Sequence, residues 1–143
     1  MSDTRLSIAA AQSMANAHCD AVDVGAGSNG VIKIYSGSAP SDVDGAETGT
    51  LLVTFNLQAT AFNSAVDQSP GARCTLQGVP LSATVAETGT AGYFRIYNAD
   101  DEALWQGDVS TTGGGGDLTI NSVALQQDAT AEITSYTWDQ PQS

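Results

Sequence analysis

Basic residues are the scarcest resource in this chain. Only Arg5, Lys33, Arg73 and Arg95 offset 16 acids, leaving a net charge of −12 over 143 residues. Nucleic-acid affinity draws mainly on Lys and Arg contacts to phosphate, so this balance argues against DNA or RNA as a partner. Attachment to an anionic membrane surface fails for the same reason. Cysteine is nearly as scarce. Cys19 and Cys74 are too few for a disulfide framework and too far apart for a CxxC motif, so both are expected as buried free thiols. No apolar run is long enough to span a bilayer, and no basic segment followed by an apolar one opens the chain. Synthesis in a cytoplasm is therefore expected.

Catalytic chemistry is short of parts as well. His18 is the single histidine, and no GxSxG elbow accompanies it, so a hydrolytic triad lacks support. One His and two distant Cys do not have zinc-ligand spacing. The glycine run Gly113–Gly116 lacks the GK[ST] of a phosphate loop and reads as a flexible turn. No pair of carboxylates marks itself as a glycosidase site. The expectation is a protein that is not an enzyme, with no cofactor and no catalytic or metal residue. Asp42-Val43-Asp44-Gly45-Ala46-Glu47 resembles the middle of a calcium loop, but it lacks the distal ligands and reads as a solvated turn, as does Asp100-Asp101-Glu102.

What the chain does have is small and polar uncharged residues between short apolar runs, with 41% apolar content overall. That mix is typical of all-β proteins with glycine-rich turns, and the length suits one domain over 1–143. Residues 2–24 are assigned to one helix and a glycine-rich loop. Asp3 or Thr4 is the expected N-cap, and Leu6, Ala9, Ala10, Met14, Ala17 and Ala21 form the expected apolar stripe. Residues 31–139 are assigned to seven or eight short strands, at Val31–Gly37, Leu51–Leu57, Arg73–Val79, Leu81–Ala86, the hairpin Tyr93–Val109, Leu118–Leu125 and Thr130–Trp138. The predicted fold is mainly β: one antiparallel β-sandwich, jelly-roll-like, with one N-terminal helix.

Tyr93–Val109 is the segment around which the rest is organised. Period-two alternation on both sides of the polar turn Asn98–Glu102 marks two antiparallel strands, and Trp105 is expected to anchor the core. The pattern apolar–basic–Ile–Tyr occurs at Ile32-Lys33-Ile34-Tyr35 and again at Phe94-Arg95-Ile96-Tyr97. If the two strands are neighbours, Lys33, Tyr35, Tyr93, Arg95 and Tyr97 gather into one surface patch, of residue types enriched at protein interfaces. A solvated outer face is the plainer reading of the same residues.

Longer pieces then line up in order. GAGSNG (Gly25–Gly30) leads to VIKIYSGSAP (Val31–Pro40), TGTLLVTFNL (Thr48–Leu57), TAGYFRIYNADDEALWQGDV (Thr90–Val109), GGGGDLTIN (Gly113–Asn121) and ITSYTW (Ile133–Trp138). Over nearly its whole length the chain resembles small structural proteins of tailed bacteriophage virions, and most of all head decoration, or capsid cement, proteins. These motifs are strand-and-glycine patterns, with no catalytic signature among them. The resemblance implies a non-enzymatic protein on the capsid exterior, made in the bacterial cytoplasm. Its implied partners are the major capsid protein and neighbouring copies of itself, with a homotrimer as one arrangement. The implied contact elements are the N-terminal helix with Arg5, or the face bearing Lys33, Tyr35, Tyr93, Arg95 and Tyr97. Two alternatives stay open. One is a tail or head–tail connector subunit. The other is a carbohydrate- or receptor-binding sandwich using Tyr93, Tyr97, Trp105 and Trp138.

Overall fold

A computed structural model describes residues 5–25, 29–68, 71–111 and 113–142. The protein is mainly β with one N-terminal helix, and its strands form a curled, mixed half-barrel. The strands are β1 (Val31–Ser36), β2 (Leu51–Asn56), β3 (Val66–Asp67), β4 (Gly71–Thr75), β5 (Leu81–Thr84), β6 (Gly89–Tyr97), β7 (Ala103–Thr111), β8 (Leu118–Ile120), β9 (Ala124–Leu125) and β10 (Thr130–Pro141). Hydrogen bonding runs continuously in the order β2-β1-β6-β7-β8-β10-β4-β3, with β5 on β10 and β9 on β6. Ten strands in one sheet thus stand where seven or eight in a sandwich were expected. The extra ones, β3 and β9, are two residues long, too short to show any period. The β7–β8 pair is parallel and the other pairs are antiparallel.

The expected central hairpin is present as β6 and β7, with Phe94 opposite Gly107 and Ile96 opposite Trp105. Its turn is built by Asn98, whose side-chain oxygen accepts from the backbone N–H groups of Asp100 (2.9 Å) and Glu102 (3.0 Å). That Asx geometry lets Asp101 adopt φ 63°, a left-handed conformation that aspartate tolerates. Trp105 is buried and its indole N–H donates to the Tyr136 hydroxyl at 2.8 Å. Fully buried Ile32, Ile34, Leu52, Phe55, Phe94, Ile96, Leu118, Ile120 and Ile133 form the rest of the centre. Each such side chain contributes about 1.5–3 kcal/mol by leaving water. Gly92 is required where it stands: a Cβ there would run into the Gly37 carbonyl, beside the bulge at Tyr35/Ser36.

The helix α1 covers Ile8–Asp20 and is extended by a 3-10 turn at Ala21–Asp23. Ser7 is its N-cap, accepting from Ala10 N–H at 3.1 Å. The expected cap positions Asp3 and Thr4 lie outside the described residues. Its buried face is also different from the expected stripe. Ala11, Ala15, Cys19 and Val22 are buried, whereas Met14 is 46% exposed and Ala9 and Ala17 are exposed. Both stripes have helical spacing, and alanine supplies too little hydrophobic contrast to rank them. The buried face rests on β4 and β10. Asn16 and Asp23 accept from the backbone N–H groups of Ala65 (2.7 Å) and Ala61 (3.0 Å), so the helix also holds the segment after β2. The segment before α1 meets the segment after β10: Leu6 N–H donates to the Gln142 carbonyl and the Gln142 amide donates back to the Leu6 carbonyl, both at 2.8 Å. No described helix is long and apolar enough to cross a membrane.

Candidate functional site

The repeated apolar–basic–Ile–Tyr pattern has a structural meaning. β1 and β6 are neighbours, and Ile32 pairs with Ile96, Lys33 with Arg95 and Tyr35 with Tyr93. The five residues expected to form a patch are therefore brought together. They are not an open surface, however. Tyr35, Tyr93, Arg95 and Tyr97 are all buried, Arg95 to 1% exposure. The covering element is the polar loop between β1 and β2, itself largely exposed, whose position over these side chains the sequence pattern did not suggest.

The loop is fastened residue by residue. Its base is closed by Ser36 N–H donating to the Thr50 carbonyl (3.0 Å) and Thr50 N–H to the Ser36 hydroxyl (2.9 Å). Arg95 donates to the Gly45 carbonyl at 2.9 Å, the Asp42 carbonyl at 3.2 Å and the Gln106 side chain at 2.9 Å. The Tyr93 hydroxyl donates to the Thr48 carbonyl (2.7 Å) and accepts from Thr48 N–H (2.9 Å). The Tyr97 hydroxyl donates to Glu47 at 2.8 Å and lies 2.8 Å from the Tyr35 hydroxyl. A guanidinium buried in this way must be met by acceptors, because a bare buried charge costs several kcal/mol. The carbonyls of the calcium-like segment Asp42–Glu47 thus face an arginine of the same chain. Among the described residues no group of three or more His, Cys, Asp or Glu converges on a point.

Electrostatics follow from these contacts. The hydrogen bond from Tyr97 holds Glu47 below the usual carboxylate range, with Arg95 and Lys33 adding to it. Burial, then the bonds to Tyr35 and Glu47, push the Tyr97 phenol far up. Lys33 remains half-buried, 4.5 Å from the centroid of the Tyr97 ring and 3.2 Å from Asp101. Arg5 is exposed and precedes the helix, away from this cluster in the chain.

The aromatics proposed for a sugar face separate into two groups. Tyr93 and Tyr97 are consumed by the loop. Trp105 and Trp138 line a cavity of about 270 Å³ with Phe94, Gln106, Tyr136 and Asp139. His18 lies beneath, its ring 3.8 Å from that of Trp138 and 4.1 Å from that of Trp105, centroid to centroid. Among the described residues neither His18 Nε2 nor Trp138 Nε1 has a hydrogen-bond partner. A larger cavity of about 430 Å³ lies at the end of β4 and β10, where Arg73 makes a two-bond pair with Asp139 at 2.6 and 2.9 Å. Cys19 and Cys74 are buried free thiols, as expected, one on α1 and the other on β4, two elements that pack together. Comparison of the chain with protein-family models, with curated proteins and with solved structures returns no match.

Proposed function

We propose that this protein is a non-enzymatic structural component that adheres to a larger protein assembly. The virion resemblance points to the outer surface of a phage capsid, where it stabilises contacts between capsid subunits. The observation that carries the reading is the clamped loop. Arg95, Tyr93 and Tyr97 fasten a loop over the sheet, so these ionisable side chains serve rigidity in place of chemistry. A rigid, acidic scaffold suits a protein that must keep its shape under load and avoid its own copies until it docks. Binding only the assembled shell stabilises that shell by mass action, and many weak copies add up through multivalency.

Co-sedimentation with assembled capsids, set against dispersed capsid protein, tests the proposal. The expected result is binding to assembled shells alone, with particles surviving higher temperature when decorated. Binding to neither form, or a closed ring formed by the purified protein alone, overturns it in favour of a tail or connector role.

A further inference from the structure

The sheet has a split in it. β8 joins β7 to β10, but only through Val109–Thr111 on one side and Ile133–Tyr136 on the other. Before Leu118 the chain turns away into the glycine run. No described strand therefore lies between the first part of β7 (Ala103–Asp108) and the last part of β10 (Thr137–Pro141). The cavity of about 270 Å³ occupies this gap, with Trp105 and Gln106 on one wall and Tyr136 to Asp139 on the other.

Both walls present strand edges. Asp108 N–H points into the gap, because it donates to Asp117 Oδ2 at 3.1 Å. Gln106, two residues back on the same strand, directs its backbone N–H and C=O the same way. On β10 the Tyr136 carbonyl accepts from Leu76 N–H, on the β4 side. Thr137 and Asp139, by alternation around it, direct their backbone groups to the opposite edge, into the gap. Edges that face each other with no strand between them form a template for one more strand, which would take Asp108 N–H over from Asp117. Such a strand would continue the line of β8, bonded on both sides.

Chemistry narrows the occupant. Asp117 stands at the slot and is exposed, as is Asp108 beside it, whereas Asp139, also at the slot, is already paired with Arg73. The walls carry the Trp105 and Trp138 rings. Carboxylates next to aromatic faces favour a cationic side chain, through ion pairing and cation–π attraction. With net charge −12 the chain itself is a poor source of such a segment.

Resting on the adhesive reading only for the partner being a protein, we infer that the β7–β10 slot seats an extended, lysine- or arginine-bearing segment of a partner chain. The segment adds as a strand in line with β8, and a basic side chain is held between the tryptophans and Asp117.

A blocked peptide alternating valine with lysine tests this, with the same peptide carrying glutamate as control. The readout is amide hydrogen exchange of the full chain. On adding the lysine peptide, exchange at Gln106, Asp108, Thr137 and Asp139 should slow on the order of tenfold, as expected for strand addition. Asp117→Asn, which keeps an acceptor for Asp108 N–H, should weaken the protection several-fold and reduce its salt dependence. Equal protection by the glutamate peptide, no protection by either, or protection by neutral oligosaccharides instead overturns the inference. Capsid binding unaffected by Asp117→Asn would remove the slot while leaving the adhesive function standing. Peptide protection without capsid binding would do the reverse.

Discussion

Arg95 and Gly45 lie 50 positions apart in the chain, yet the Arg95 guanidinium donates to the Gly45 carbonyl at 2.9 Å. Through this bond a cation expected on the surface becomes the fastening of an internal polar layer. The acceptors around it are two backbone carbonyls and one amide, with the Glu47 carboxylate 3.9 Å away. Removing the arginine strips partners from all of them at once.

Arg95→Met should therefore cost about 3 kcal/mol or more, since buried acceptors lose their donor. Arg95→Lys should recover only part of this, because an ammonium cannot copy the fork that reaches three acceptors. Urea unfolding measures the loss, and limited proteolysis should show new cleavage between residues 38 and 50. An unchanged midpoint with an uncut loop would show that Arg95 does not hold it.

Tyr97→Phe should be worse than Tyr35→Phe. The first leaves both the Tyr35 hydroxyl and Glu47 without their bond, and the second removes one contact of Tyr97, which keeps Glu47. About 1–2 kcal/mol is expected for the first and less for the second. The same burial predicts an alkaline limit. Tyr35, Tyr97 and Tyr136 all have phenols raised above their ordinary value of 10.0 by burial. The unfolded chain loses these protons first, so their contribution is whole below pH 10 and is lost as pH rises beyond it. Tyrosinate absorbance from these three should appear together with loss of near-ultraviolet circular dichroism. Full ionisation of a chain that stays folded would contradict it.

His18 sets a milder acid dependence. Burial between the tryptophan rings lowers its pKa from the ordinary 6.5. The unfolded chain then binds the proton more readily, so stability begins to fall as pH drops through 6.5 and levels off below the folded value. Glu47 and Asp139, both lowered, act in a separate window: their contributions fade only beneath 4.5 and 3.8. Thermal melts across pH should show the upper step in the wild type and not in His18→Gln. A step of equal size in the variant would assign it elsewhere.

Cys19 and Cys74 should be silent to a thiol reagent until the protein unfolds. Both are buried, and burial raises both thiols above their ordinary value. Reagent titration in buffer should label neither, and in denaturant both. Cys74→Ala should destabilise by about 1–2 kcal/mol through lost packing at the helix–sheet contact. Rapid labelling of the native chain would mean that α1 lifts from β4 readily.

Much of this architecture can be read along the chain, and the reason is locality. The β6–β7 hairpin shows as alternation around Asn98–Glu102, and the repeated pattern at Lys33 and Arg95 raised a β1–β6 neighbourhood as a condition that the register then met. The mainly β class with one N-terminal helix follows from runs, turns and an alanine-rich start. The helix face was not legible, because alanines on either side of it differ little in hydrophobicity. Nor was the cavity at Trp105 and Trp138, which exists because β8 is too short to separate β7 from β10 along their length.

Composition and pattern alone determined an acidic β protein, the central hairpin and the partnership of its strands, since charge and period-two order are properties of neighbours in sequence. Only the tertiary structure decided which side of the β1–β6 face meets water. Tyr35, Tyr93, Arg95 and Tyr97 have the chemistry of a surface patch. A loop that crosses them supplies carbonyls enough to bury that chemistry, and no local sequence signal records where a loop will lie.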